Sequence, residues 1–143
     1  MRVAVVSASV LAVAPLTWWL AHVIPDDIPP DRLYYADYAI KPLGLSSGER
    51  LGIGLMALAA VGAGLIVLVD GINSGAIRRD WLGVVLPTAA LTSYLGFGYR
   101  IGTVASSGAN IGFGLLVFGA LVAVPVLGVI AVIYLLRLFA RSA

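Results

Sequence analysis

The residues able to do chemistry are few, and most of them lie late in the chain. Arg100 is the only charged residue between Asp80 and Arg137. It stands in a stretch, residues 96–114, that carries six glycines together with Thr103, Ser106, Ser107 and Asn110. A guanidinium offers planar, fixed donors that match a phosphate or a carboxylate. A glycine-rich backbone beside it can turn N–H groups towards the same anion. Arg100, Thr103, Ser106, Ser107 and Asn110 are therefore the candidate site, for an anion such as a lipid phosphate or for a partner's carboxylate. The plainer expectation is a glycine-rich turn whose Arg reaches the membrane boundary. An Arg at the bilayer centre costs about 2.5–3.5 kcal/mol on insertion scales, and far less near the interface. On either reading Arg100 belongs near the boundary or beside a polar cleft.

Other chemistries lack their residues. There is no cysteine, hence no disulfide, no thiolate nucleophile and no sulfur-ligated metal. The single histidine, His22, cannot build a histidine-rich metal site, and Asp26, Asp27 and Asp31 lack the spacing of a calcium loop. No metal and no cofactor are expected. Asp70 and Asp80 flank Arg78 and Arg79, where local ion pairs explain them. Thr88, Thr92, Ser93 and Tyr94 are polar within an apolar stretch, and such groups usually hydrogen-bond across helices. No Ser–His pair, metal set or pair of buried carboxylates marks an enzyme.

The elements that must hold these residues follow from composition. Of 143 residues, 61% are hydrophobic and 11% charged, where a soluble domain carries about a quarter charged. A spanning helix needs about 20 mainly apolar residues. Residues 3–24, 51–69, 81–99 and 111–136 meet that requirement, with charges at their margins. The fold class is an all-α integral membrane protein: one domain over 1–143, four transmembrane helices, and a short interfacial helix in the first outer loop. Residues 3–24 exceed the 7–15 apolar residues of a signal peptide and lack a small-residue cleavage site, so this segment is expected to stay as a span. Pro15 should bend it without ending it.

Arg2, Arg78, Arg79, Arg137 and Arg141 fall on one side of such a bundle, and Arg32, Lys41, Arg50 and Arg100 on the other. The first set includes a short loop and both termini, which places both termini in the cytoplasm by the positive-inside rule. Eight of the nine basic residues are arginine, and Ala, Val and Gly are heavily used. That usage fits a high-GC bacterial genome and hence a bacterial inner membrane. The outer loop, residues 25–50, contains a stretch, 31–40, suited to two helical turns. Tyr34, Tyr35 and Tyr38 would lie there at headgroup level. Ser46 and Glu49 have the spacing of a capping box ahead of the second span.

Small residues recur at spacings of three and four: Gly48 and Gly52; Ala57, Ala60 and Gly64; Gly98 and Gly102; Gly108 and Gly112. In lipid, close approach through small residues is a main source of helix packing. The expected partners are membrane lipids and either another membrane protein or a second copy. Nucleic acid is not expected, because the basic residues are scattered. The leading functional expectation is a non-catalytic subunit or accessory protein that binds a larger membrane complex through glycine-rich helix faces and the outer loop. The alternative is a small homo-oligomeric channel or transporter with a polar path near Arg100, and a membrane enzyme on a lipid-linked substrate stands third.

Overall fold

A computed structural model describes residues 2–23, 38–104 and 111–140. It is helical, with no strand among the described residues. α1 spans Arg2–Leu20 and tightens into a 3₁₀ turn at Ala21–Val23. α2 is Ser47–Asn73, and α3, Leu82–Gly102, follows a 3₁₀ turn at Arg79–Trp81. α4 is Ile111–Ala140. All four are long and apolar enough to cross a membrane, and they fit a multi-pass membrane protein.

The helix limits differ from the apolar stretches because caps, and not hydropathy, stop a helix. α2 begins before residue 51 because Ser46 supplies the cap. The Ser46 N–H donates to Glu49 Oε2 at 2.8 Å, and the Glu49 N–H donates to Ser46 Oγ at 3.3 Å. At the other end α2 runs past Asp70. Ser74 then donates its N–H and its hydroxyl to the Asp70 carbonyl, at 2.9 and 2.7 Å. Gly75 follows at φ +72°, a left-handed turn that suits glycine. α4 continues past residue 136 to Ala140, with the Arg137 guanidinium 5.3 Å from the Tyr134 ring centre. α1 and α3 continue through Pro15 and Pro87.

The helices lie in the order α2, α1, α3, α4. α1 is antiparallel to α2: Ser9 meets Gly64, and Trp19 meets Gly54. It is parallel to α3, with Ala14 against Gly96 and the Thr92 hydroxyl donating to the Val10 carbonyl at 2.9 Å. α4 is antiparallel to α3, pairing Tyr134 with Gly83 and Phe113 with Gly102. Near the N-terminal end of α1, Val6, Leu68 and Ile77 form a buried cluster backed by Trp81 and Val85. Large apolar side chains cover the outside, among them Leu86, Ile111 and Phe118, as in a body surrounded by lipid.

Asp80 pairs with Arg78 at 2.7 Å, within the α2–α3 connection. Asp70 instead pairs across the bundle with Arg2, at 3.4 Å. Both pairs are substantially solvent-exposed, and surface ion pairs of this kind contribute about 0–1 kcal/mol. The stretch expected to form an interfacial helix lies outside the described residues except for 38–40, which are not helical.

Candidate functional site: a basic chamber beside an apolar cleft

Arg100 sits in the last turn of α3, only 7% exposed. α3 ends there because Thr103 folds back: its hydroxyl donates to the carbonyls of Tyr99 and Arg100 at 2.9 and 3.0 Å. The Ile40 N–H then donates to the Gly102 carbonyl at 2.8 Å, which draws the segment before α2 across this end of α3. A Cβ at Gly102 would lie 2.9 Å from Ile40 and 3.0 Å from Phe113, so the segment and α4 both close on the helix at that glycine.

Beside this crossing lies a half-open chamber of about 210 Å³. Trp18 and His22 contribute from α1 and the turn after it, Arg50 from α2, and Tyr99, Arg100 and Thr103 from the end of α3. Tyr38 and residues 42–45 complete the lining. Gly44 holds φ +60°, the left-handed turn that lets the segment fold over the opening.

Arg50 is tied from two sides. Its Nε donates to the Leu45 carbonyl at 2.9 Å, and its Nη1 lies 3.1 Å from His22 Nε2. A guanidinium has no acceptor, so in this contact the imidazole accepts at Nε2 and carries its proton on Nδ1. Arg50 Nη2 makes no hydrogen bond among the described residues. Trp18 braces the wall, edge-on to His22 at 5.2 Å and to Tyr99 at 6.4 Å between ring centres. The Tyr99 hydroxyl is buried and has no hydrogen-bond partner among the described residues. A buried polar group left in that state costs about 1–3 kcal/mol.

A second cavity, of about 470 Å³, adjoins the first and shares Trp18, Leu43, Leu45 and Tyr99 with it. Ala14, Pro15, Ile53, Leu95 and Gly96 complete its walls, all without polar side chains. In each helix these residues lie about one turn nearer the middle than the chamber residues.

Of the residues singled out in the sequence, Arg100 and Thr103 meet in the chamber, and Tyr38 lines it. Ser106, Ser107, Asn110 and Gly108, with Tyr34 and Tyr35, lie outside the described residues. Among the small residues, Ala57 is buried, Ala60 is half-buried, and Gly64 is buried against Ser9. Gly98 is buried yet has open space where a Cβ would point, as do Gly48 and Gly52. Gly112 is exposed in the first turn of α4. Sequence reasoning passed over Arg50, His22, Trp18 and Tyr99 as site residues. The i, i+4 spacing of Trp18 with His22 and of Tyr99 with Thr103 puts each pair on one helix face, a signal that was available.

The hydroxyls inside the bundle are engaged with backbone and with one another. Thr88 donates to the Val84 carbonyl at 2.7 Å, Tyr94 to the Leu116 carbonyl across the α3–α4 seam, and Thr17 to Ser93 Oγ at 3.2 Å. The described residues contain no group of three or more metal-ligating side chains.

Compared with known protein families, with curated proteins and with solved structures, the chain matches none.

Proposed function

We propose that this protein is a non-catalytic membrane protein that holds one anionic group in the chamber between Arg50 and Arg100. The observation that carries the reading is the convergence of these two arginines, from helices that do not adjoin in the row, on one small cavity beside a buried Tyr99 hydroxyl that has no partner among the described residues. Two guanidiniums and a phenol are all donors to oxygen, and a phosphate or carboxylate supplies the matching acceptors. The hydroxyls of the bundle interior lie against carbonyls and one another, which favours binding over a conducting path.

In the cell this binding fits a small accessory subunit of a larger membrane assembly, in a bacterial inner membrane with both termini cytoplasmic. The chamber then faces outward, with Tyr38 in its lining. The glycine-lined seams hold the four helices together, and the outer surface of α4 is left to lipid or to a partner.

Calorimetric titration of the detergent-purified protein with inorganic phosphate and with short-chain dihexanoyl phosphatidic acid tests the reading. Saturable binding of at least one anion is expected, weakened about tenfold or more in Arg50→Gln and Arg100→Gln, since a charge-assisted hydrogen bond contributes about 1.5–3 kcal/mol. Absence of saturable binding, or affinity in both variants unchanged from that of the parent, overturns it.

A further inference from the structure

We infer that the ligand is an anionic lipid, with its phosphate headgroup in the basic chamber and one acyl chain in the adjoining apolar cleft. This rests on the anion-binding reading above and goes further, because it assigns a second cavity and with it the class of ligand.

Three observations carry it. First, the two cavities adjoin. Trp18, Leu43, Leu45 and Tyr99 line both, so a ligand that fills the two lies along one shared wall. Second, their polarity is graded along the helix axes. On α1 the sequence runs from His22 and Trp18 to Pro15 and Ala14; on α3 it runs from Arg100 to Gly96 and Leu95; on α2 it runs from Arg50 to Ile53. One helical turn is about 5.4 Å, so donors for a headgroup stand at the bundle end and an apolar slot begins one turn deeper. A membrane lipid has the same order along the bilayer normal. Third, the cleft opens where lipid can enter. Leu95 and Leu43 on its rim are 66% and 71% exposed.

The size and chemistry of the cleft agree with that occupant. At about 470 Å³ it falls within the about 300–1,000 Å³ typical of ligand sites. Its deeper wall is aliphatic: Ala14 and Pro15 from α1, Ile53 from α2, and Leu95 from α3. Gly96 lets α1 and α3 touch at its floor, where a Cβ would strike the Ala14 carbonyl oxygen. A free anion gains nothing from such a slot, whereas an alkyl chain gains contact along its length. A zwitterionic headgroup would bring a cation up to two arginines and is disfavoured. Tyr99 lines both cavities and so stands where the headgroup would give way to the acyl chain.

The test uses the full chain in phosphatidylcholine nanodiscs, doped with a phosphatidic acid that carries a diazirine midway along one acyl chain. The crosslinked peptides are mapped by mass spectrometry. Labelling is expected to concentrate on residues 14–18, on Ile53 and on residues 95–99. It should fall at least fivefold in Arg50→Gln and in Arg100→Gln, and it should be at least fivefold weaker with the matching diazirine phosphatidylcholine. A bulky Ile53→Trp substitution is expected to displace the label from the cleft. Inorganic phosphate is titrated in parallel by calorimetry. Phosphate binding together with label spread evenly over the lipid-facing surface, α4 included, overturns the lipid assignment and leaves the anion site standing. Cleft labelling that is indifferent to headgroup and to both arginines also overturns the assignment. Absence of binding by any anion in either assay overturns both readings together.

Discussion

A single methyl group added at Gly96 is expected to force α1 and α3 apart. The ideal Cβ there would overlap the carbonyl oxygen of Ala14 and lie 2.8 Å from its carbonyl carbon and 3.0 Å from its Cα. These are backbone atoms inside a helix and cannot rotate out of the way, so the helices themselves must move. Overpacking of this kind costs about 1–3 kcal/mol. The same displacement stretches the Thr92–Val10 and Thr17–Ser93 hydrogen bonds, 2.9 and 3.2 Å long. Interhelical bonds in membranes average about 0.6 kcal/mol each. Gly96→Ala should therefore lose about 2–4 kcal/mol. Gly98, two residues on, is the internal control. It is also buried, but among the described residues nothing lies within 4 Å of its would-be Cβ. Gly98→Ala should be neutral or gain about 0.5–1 kcal/mol from the lower backbone entropy of alanine. Unfolding in mixed micelles of rising dodecyl sulfate fraction, followed by far-ultraviolet circular dichroism, ranks the two variants against the parent. Equal stability of Gly96→Ala and the parent, or equal damage from both substitutions, would refute the close α1–α3 approach.

Arg100→Lys should reach the membrane at normal abundance but bind dihexanoyl phosphatidic acid about tenfold more weakly, about 1.4 kcal/mol, because an ammonium lacks the planar fork; undiminished affinity by calorimetry would show a merely interfacial Arg. Tyr99→Phe removes a buried hydroxyl that has no partner among the described residues, so stability in the same micelle assay should hold or rise by about 1 kcal/mol while anion affinity falls. Tyr94→Phe loses the bond to the Leu116 carbonyl across the α3–α4 seam and should cost about 0.6–1.7 kcal/mol. Reporter fusions after Ala143 and within residues 73–76 should read cytoplasmic, and one at Asp37 external; an external signal at Ala143 would reverse the orientation.

Hydropathy locates all four helices, because each needs a long uncharged run and the charges fall at the margins. The limits were less legible. α2 is longer than its apolar core at both ends, since Ser46 and Ser74 satisfy terminal backbone groups that hydropathy does not weigh. The packing glycines illustrate the same limit. Regular spacing singles out Gly48 and Gly52, which face open space, yet passes over Gly54 and Gly83, which receive the rings of Trp19 and Tyr134. Spacing within one helix shows that small residues share a face, but the partner's bulky side chain decides which of them is needed. In the chamber, Arg100 and Thr103 were legible from their local setting. Arg50 was not: it is 50 residues away in sequence and looks like an ordinary charge beside a capping box. Only the crossing of the segment before α2 over the end of α3, fixed by the Ile40–Gly102 hydrogen bond, completes the chamber that both arginines line.

Whether Arg50 and Arg100 share one anionic headgroup is decided most plainly by native mass spectrometry of the protein ejected from nanodiscs of equal parts phosphatidylglycerol and phosphatidylcholine. One retained phosphatidylglycerol per chain is expected, with retention lost when Arg50→Gln and Arg100→Gln are combined. Equal retention of the two lipids, or retention unchanged by the double substitution, would contradict the site.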